Sequence, residues 1–359
     1  MVPITFFRSS SFGAHEFCPM RYYLEYTLGW RGKGNKKADK GTIVHKTMEI
    51  LAGAKKAQQD DQLIYHDEEA DIMVNASDPM TIDIDKLNNE VYDYYTSHFT
   101  HHDWDNKDRR ECSRWVYKAL EFRGGFMDPR GRTIVQPEQH FSVELDYDWA
   151  AYEYEVGGEI LKGNLELKGT IDLVTQVDES TYEVIDWKTG ARKNWNVEPV
   201  KVKEYEDFYN DMQLRIYHLA CCKMYPDIDN IWMTIYFIND GGPFTIMFER
   251  SDIEYTLDKI REKFELIKNT EMPERKRTWK CAKFCHQGTT TFDELDEPDS
   301  PVDALTENRY NQVARAGQIM TKCDQCHYYL THRDSKTVIE NLKHPDHEFG
   351  KYKAPGSTE

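Results

Sequence analysis

The sequence predicts an α/β fold, because its hydrophobic pattern changes from helical to alternating periodicity and back. Residues 138–188 contain successive short segments in which apolar and polar side chains alternate, as in β-strands. Residues 203–225 and 251–269 show the spacing of amphipathic helices. The D-G-G stretch at 240–242 separates two apolar runs, which is typical of a hairpin turn.

The region before the strands is predicted to be helical. Serines at the start of residues 9–30 can cap a helix, and the Cys-Pro pair at 18–19 should interrupt it. Residues 40–55 predict a second helix and residues 84–126 two more, whereas the acidic stretch 56–80 predicts irregular structure. The second helix has an inward stripe: Ile43, Thr47, Ile50 and Leu51.

Composition limits the classes of protein that fit. The length of 359 residues allows about two domains. No run is apolar enough for a membrane span, and the opening residues lack the apolar core of a secretory signal, so we expect a cytoplasmic protein that does not enter membranes. In that setting the eight cysteines are expected to be thiols or metal ligands rather than disulfides.

Charge is distributed unevenly along the chain. The formal net charge of −17 disfavours a surface that attracts nucleic acid everywhere. Residues 31–40, 188–203 and 273–283 nevertheless each carry five basic side chains and one acidic one. These segments are either solvated loops or a local track for a polyanion. Tryptophans in or beside them could stack on unpaired bases: Trp30, Trp195 and Trp279.

Two carboxylates and a lysine fall on neighbouring predicted strands in GTIDLVTQVDESTYEVIDWKTG, residues 169–190. Asp186 and Lys188 are two residues apart and share a strand face, and Asp172 lies on the preceding strand. Converging carboxylates repel each other unless a cation neutralises them. Mg²⁺ or Mn²⁺ suits carboxylate oxygens, lowers the pKa of its bound water and can clamp a phosphate oxygen. Lys188 would then orient the water or offset charge developing on the phosphate.

The acidic-x-Lys pattern is weak by itself, since an edge-strand salt bridge would have the same sequence. It also occurs at four other places: Asp105/Lys107, Glu166/Lys168, Glu274/Lys276 and Asp334/Lys336. Glu166/Lys168 is the rival pair, because it shares a strand face with Asp172.

Five short motifs occur in one order. They are a serine followed by C-P-x-R-Y within 11–23, G-x-x-x-H at 41–45, G-x-x-D at 169–172, D-x-K-T-G at 186–190 and Q-x-x-x-Y at 213–217. Together they resemble the PD-(D/E)XK nuclease superfamily, and specifically its RecB-type branch. The similarity covers roughly residues 9–285.

The resemblance implies a restriction-endonuclease-like core, in which helices flank a central mixed β-sheet. Three domains are expected: an N-terminal helical region, 1–137; the nuclease core, 138–270; and a C-terminal cysteine-rich metal module with an inserted loop, 271–359. The implied metal ligands are His45, Asp172 and Asp186. Imidazole suits Mn²⁺ better than Mg²⁺.

The remaining implied roles belong to Lys188, which would assist catalysis, and to Gln213 and Tyr217, which would orient the substrate. Each pair, Gln213 with Tyr217 and Gly41 with His45, is one helical turn apart and shares a face. Taken alone, His45 would be an ordinary core histidine, and Tyr217 could equally be a core residue.

Five cysteines are candidates for four metal positions: Cys18, Cys281, Cys285, Cys323 and Cys326. The iron-sulfur members of the RecB-type branch hold a [4Fe-4S] cluster with one N-terminal and three C-terminal cysteines, and Cys18 fits the first position. The long insertion between the two C-terminal pairs departs from that pattern. Structural Zn²⁺ held by the four C-terminal cysteines is the alternative, and His332 is a reserve ligand.

Several functions follow from the resemblance. The leading one is a metal-dependent DNA exonuclease that acts on single strands or duplex ends in recombination, repair or end processing. A helicase, recombinase or other protein partner would supply any unwinding, because the sequence has no P-loop motif. The alternatives are a structure-specific endonuclease and a non-catalytic DNA-binding or assembly module. No function is assigned to the histidines of HFTHHDWD: His98, His101 and His102.

Overall fold

The computed structural model describes residues 2–27, 35–156, 158–194, 199–271, 273–276 and 285. Some predictions lie outside these residues: those on Trp30, Trp195, Trp279, Cys281, Cys323, Cys326 and His332. Nearly all of the predicted C-terminal module lies outside them too.

The described residues form helices and strands in an α/β arrangement. The helices are α1 (Ser9–Phe17), α2 (Pro19–Tyr22), α3 (Lys36–Gln59), α4 (Ile84–His98), α5 (Asn106–Glu121), α6 (Tyr205–Tyr209), α7 (Met212–Met224) and α8 (Asp252–Lys268). The strands are β1 (Phe6–Phe7), β2 (Ile64–Asp67), β3 (Ile72–Asn75), β4 (Thr133–Glu144), β5 (Ala151–Val156), β6 (Glu159–Asn164), β7 (Glu166–Asp178), β8 (Thr181–Lys188), β9 (Lys193–Asn194), β10 (Lys201–Val202), β11 (Asn230–Phe237) and β12 (Gly242–Met247). A π-helical turn, Tyr23–Thr27, follows α2.

The main sheet is mixed, with strand order β1-β7-β8-β11-β12 and β4 also paired to β7. β7 and β8 are antiparallel, β8 and β11 are parallel, and β11 and β12 are antiparallel. The parallel pair requires a crossover connection, which α6 and α7 provide between β8 and β11. β11 and β12 pair around residues 240–242, so the predicted hairpin is confirmed.

The described residues form two compact units. Unit 1 comprises the described residues within 1–33, 143–168 and 257–285, and unit 2 those within 35–142 and 169–256. The three-domain division predicted from the sequence stays a prediction.

The core of unit 2 surrounds α3. The side chain of Asn35 caps this helix by accepting a hydrogen bond from the backbone N–H of Ala38 at 3.0 Å. The predicted inward stripe of α3 is fully buried, among apolar side chains from α4, α5, β7 and β8. This packing fixes α3 beside the strands that carry the two predicted catalytic aspartates.

Unit 1 brings together segments that are far apart in sequence. Pro19 begins α2 after the break at Cys18, as the sequence predicts. The backbone N–H of Met20 donates to the carbonyl of Glu274 at 3.1 Å, and the N–H of Lys276 donates to Cys18 Sγ at 3.4 Å. Cys18 is thus buried at a junction between the first helices and the chain that follows α8.

Two details of the predicted secondary structure are wrong. The stretch 56–80 contains the antiparallel hairpin β2–β3, whose turn is allowed by Asp71 at φ 52°, a conformation that aspartate tolerates better than most residues. The predicted helix at 203–225 is two helices, because Asp211 lies outside the helical conformation and caps α7 through the N–H of Gln213. None of the described helices combines the length and apolar character that a membrane span requires.

Candidate active site

Asp172 lies at the point where the pairing of β7 with β8 ends. The paired residues run from Leu173 opposite Ile185 toward the β7–β8 turn. Beyond it, the backbone N–H of Trp187 donates to Asp172 Oδ2 at 2.8 Å. The side chain of Asp172 therefore replaces a strand partner for this N–H and has a fixed direction.

His45 reaches the same oxygen from α3. Its Nδ1 lies 3.4 Å from Asp172 Oδ2, and its ring packs edge-on against Trp187 with a centroid distance of 6.4 Å. One third of the His45 side chain is exposed, so the ring is held by its neighbours while one part faces solvent.

Asp186 is the most deeply buried member of the group, with 2% of its side chain exposed. Its Oδ2 forms an ion pair with Lys188 Nζ at 2.5 Å, and its Oδ1 accepts a hydrogen bond from Gln213 Nε2 at 3.1 Å. About a third of the Lys188 side chain is exposed. The ammonium group therefore links a buried carboxylate to solvent.

Gln213 and Tyr217 form a short chain of hydrogen bonds behind Asp186. Gln213 Nε2 also donates to Tyr217 Oη at 2.9 Å, and Tyr217 Oη donates to the carbonyl of Thr170 at 2.7 Å. Since Thr170 is two residues before Asp172, this chain connects α7 to the strand that carries the first aspartate.

The two aspartates differ in acidity. Burial, together with the charge of Asp172, outweighs Lys188 and raises the pKa of Asp186 to about 6. Burial also disfavours the ionised form of Asp172, but His45 and Lys188 outweigh it and lower the pKa of Asp172. The pKa of His45 is raised, because the attraction of Asp172 exceeds the effect of burial. The group thus concentrates negative charge that favours a cation.

Two glycines of the motifs stand where other chain parts approach closely. A Cβ at Gly169 would lie 2.6 Å from the ring of Phe141, which in turn packs against Tyr217. A Cβ at Gly41 would lie 3.0 Å from Thr189 Oγ1, directly after Lys188. Both glycines therefore permit the approach of elements that carry the predicted site residues.

The structure brings the six predicted site residues together in unit 2, in two linked parts. His45 and Asp172 are in contact, and Asp186, Lys188, Gln213 and Tyr217 form the second part. The oxygens of Asp186 do not lie within 4.8 Å of both other predicted metal ligands. Like charge keeps the two carboxylates apart, and each is held by its own donors. Their catalytic roles stay predictions.

The rival pair Glu166 and Lys168 is an ion pair of 2.8 Å within unit 1. Residues that the sequence reasoning missed are Trp187, which positions both His45 and Asp172, and Asp211, which caps α7 and adds negative charge near Lys188. The aromatic residue inside D-W-K and the aspartate two positions before Gln213 are the signals that could have revealed them.

A polar cavity of about 440 Å³ lies elsewhere in unit 2. Its lining includes Lys46 and Glu49, which form an ion pair of 2.8 Å. Lys46 Nζ also contacts Asp67 and Glu69, so a protein ammonium already neutralises this acidic cluster. The cavity is a weaker candidate for a metal centre than the group formed by His45, Asp172 and Asp186.

The model of the PD-(D/E)XK nuclease superfamily matches residues 10–287, more than three quarters of the sequence. The chain belongs to the PD-(D/E)XK nuclease superfamily. It is therefore a phosphodiester-hydrolysing nuclease by family, and nucleases of this family use divalent metals. The predicted restriction-endonuclease-like fold, a mixed sheet flanked by helices, is confirmed.

Two solved structures match much of the chain at low identity. A candidate exonuclease from Eubacterium rectale has a TM-score of 0.45 and 10% identity, over 83% of this chain and 92% of its own. The protein SSO0001 has a TM-score of 0.23 and 13% identity, over 73% of this chain and 86% of its own. No curated protein matches the chain.

Proposed function

We propose that this nuclease is a metal-dependent DNA exonuclease that acts on single strands or duplex ends, in recombination, repair or end processing. The observation that carries the proposal is the pair of aspartates on β7 and β8, together with Lys188 and a histidine from α3. A salt bridge alone would not require a second carboxylate and an imidazole beside it. A buried carboxyl with a raised pKa is costly, and such groups concentrate at functional sites.

The donor set fits a hard or borderline divalent ion. His45, Asp172 and Asp186 would hold Mg²⁺ or Mn²⁺, with the imidazole favouring Mn²⁺. When bound, such an ion neutralises the two carboxylates, lowers the pKa of a water and polarises a phosphate oxygen.

The protein's own groups have separate tasks in this proposal. Lys188 stabilises negative charge that develops on the phosphate or orients the attacking water. Gln213 holds the carboxylate of Asp186 in position, and Tyr217 fixes Gln213 through the carbonyl of Thr170. Trp187 keeps the His45 ring beside Asp172. Lys188 and His45 are each about one third exposed, more than either aspartate, so they are placed to meet a substrate.

The finer assignment to the RecB-type branch includes a [4Fe-4S] cluster. Cys18 would be one ligand, with three of Cys281, Cys285, Cys323 and Cys326. The contact of Cys18 Sγ with the N–H of Lys276 supports this, because Lys276 is only five residues before Cys281. Zinc bound by the four C-terminal cysteines is the alternative. A visible spectrum of anaerobically purified wild type and Cys18→Ser separates them, since only the cluster absorbs in the blue and depends on Cys18.

The proposal places the protein in the cytoplasm, where thiols stay reduced. A helicase or recombinase would be its partner if duplex unwinding is required.

The experiment compares wild type, Asp186→Asn and Glu166→Gln, the last as a control from the rival acidic-x-Lys pair. Each full-length protein is incubated with Mn²⁺ or Mg²⁺ and end-labelled single-stranded DNA, linear duplex, closed circular DNA or RNA. We expect wild type and the control to shorten linear DNA progressively, and Asp186→Asn to lose activity by about 100- to 1000-fold.

Each other result has a defined meaning. Equal activity in wild type and Asp186→Asn removes the proposed site. Cleavage of closed circles replaces the exonuclease with the endonuclease. Binding of DNA without cleavage under any metal condition favours the non-catalytic module, and preferential cleavage of RNA changes the substrate.

A further inference from the structure

A second histidine-carboxylate group lies in unit 2, which we call the Asp39 cluster: Asp39, His101 and His102. Asp39 is in the first turn of α3, and the two histidines are in the connection between α4 and α5. His102 Nε2 lies 2.8 Å and His101 Nε2 lies 3.2 Å from Asp39 Oδ2. Within the part of the chain that the structure describes, this is the group of three potential ligands whose donor atoms all lie within 4.8 Å of one another.

The arrangement is more specific than a surface salt bridge. Both rings direct the same nitrogen to the same carboxylate oxygen, although a carboxylate offers two oxygens and about four acceptor sites. The side chains are mostly buried, with exposures of 11% for Asp39, 20% for His101 and 14% for His102. In a tetrahedral zinc site, nitrogen and oxygen ligands are about 3.3 Å from each other. The separation of 3.2 Å at His101 is close to this value, and the hydrogen-bond distance of 2.8 Å at His102 would lengthen when an ion enters.

Neighbouring aromatic side chains hold the histidine segment in place. The His102 ring packs edge-on against Trp104 with a centroid distance of 5.4 Å, and Trp104 Nε1 donates to the carbonyl of Phe99 at 2.9 Å. The His101 ring packs against Phe99. Ligands that are already ordered lose less conformational entropy when an ion binds.

The local charge also permits a cation. Lys36 lies over the Trp104 ring, and its ammonium group is bound by the carboxylate of Asp108 and the carbonyl of Asp103. Two neutral imidazoles and one carboxylate leave a divalent ion with a single residual positive charge. Imidazole nitrogen selects zinc and related late transition ions over Mg²⁺ and Ca²⁺.

We propose that Asp39, His101 and His102 bind Zn²⁺, with solvent as the fourth ligand, at a site separate from the predicted catalytic centre. The ion would tie the α4–α5 connection to the start of α3. Asp39 and His45 are six residues apart on that helix, about 9 Å along its axis. The site would therefore anchor the helix that carries His45 without touching the substrate.

The test counts zinc in full-length proteins that all carry Asp186→Asn, so that the predicted catalytic centre is changed equally in each. The variants are Asp39→Asn, His102→Gln and His66→Gln. His66 is the matched control, since its Nε2 lies 2.9 Å from Asp71 Oδ1 in an exposed histidine-aspartate pair of two residues only. Proteins are stripped with chelator, reloaded with Zn²⁺ and analysed by elemental mass spectrometry.

We expect Asp39→Asn and His102→Gln to hold one zinc fewer per chain than the parent, and His66→Gln to hold the same number. Zinc retained by the C-terminal cysteines cancels in this comparison. Equal zinc content in all four proteins would overturn the proposal.

A second measurement needs no substitution in the Asp39 cluster and covers the case in which a variant fails to fold. The parent protein is treated with diethyl pyrocarbonate with and without Zn²⁺, and modification of each histidine is followed by peptide mass spectrometry. We expect Zn²⁺ to protect His101 and His102 but not His66. Equal modification of His101 and His102 in both conditions contradicts the site.

Discussion

Two histidine-carboxylate groups lie along one helix, and their neighbours distinguish them. At the predicted catalytic centre, His45 meets Asp172 beside a second, buried aspartate and a partly exposed lysine. In the Asp39 cluster, two histidines share one carboxylate, and the surrounding aromatic rings hold them in a loop. The first group includes two side chains that are about one third exposed, His45 and Lys188, whereas every member of the second is at most 20% exposed. Under the two proposals, histidine and aspartate side chains bind a catalytic ion in the first group and a zinc ion that holds the start of α3 in the second.

The largest effect on activity is expected at the predicted catalytic centre. Lys188→Met should lower kcat on linear DNA by about 100- to 1000-fold, because it removes the charge expected to stabilise the transition state. Lys56→Met is the matched control, since Lys56 is equally exposed at 32% and is paired with Asp60 at 2.7 Å. A similar loss in both variants would show a general charge effect rather than a role in catalysis.

The two predicted catalytic aspartates should make opposite contributions to the pH dependence of the free energy of unfolding. The folded pKa of Asp186, about 6, is above its ordinary value of 3.8, so its contribution favours folding at low pH and is lost as pH rises through about 6. The pKa of Asp172 is lowered, so its contribution is present at neutral pH and is lost as pH falls.

In chelator, the loss of unfolding free energy caused by Asp172→Asn should therefore be larger at pH 8 than at pH 4, whereas the loss caused by Asp186→Asn should be smaller at pH 8, by about 1–3 kcal/mol. Urea denaturation at the two pH values measures both. The same direction of change in the two variants would contradict the opposed environments described for these carboxylates.

A smaller effect is expected at Tyr217. Tyr217→Phe removes the hydroxyl that joins Gln213 to Thr170, so kcat should fall by about three- to tenfold, as loss of a typical hydrogen bond implies. Tyr225→Phe removes a hydroxyl that donates to Gln139 at 3.2 Å in the same unit and should leave kcat unchanged. Unchanged kcat in Tyr217→Phe would make that residue a simple core tyrosine.

The smallest effect concerns Gly41, which lies between Asp39 and His45 on α3. Alanine usually stabilises a helix by about 1 kcal/mol relative to glycine, and Gly13→Ala in α1 should show that gain because nothing lies within 4 Å of its Cβ position. Gly41→Ala should gain less, since its Cβ would press on Thr189. Thermal denaturation of the two variants tests this difference, and an equal gain would mean that Thr189 adjusts freely.

The sequence was most informative where local pattern and chemistry agreed. Alternating residues predicted β7 and β8, and two-residue spacing predicted that Asp186 and Lys188 would be neighbours. Helical spacing also placed Gln213 beside Tyr217. These relations depend on a few residues in one element and are therefore visible without the fold.

The sequence was least informative where distant segments meet. The pairing of Asp39 with His101 and His102 depends on how the α4–α5 connection packs on α3, and no local period records it. The same is true of the N–H of Trp187, whose partner is a side chain on another strand. The break between α6 and α7 was missed because an apolar period continues across Asp211, although its side chain favours a helix start.

Unit 1 has a consequence for synthesis of the protein. Its described parts include the first helices, a central hairpin and the chain after α8, and Met20 meets Glu274 across more than 250 intervening residues. On the ribosome, the N-terminal helices cannot form these contacts until residue 274 has been made, whereas most of unit 2 can already assemble. The nascent N-terminal segment, with apolar surface exposed during this interval, is therefore the part that most needs chaperone protection.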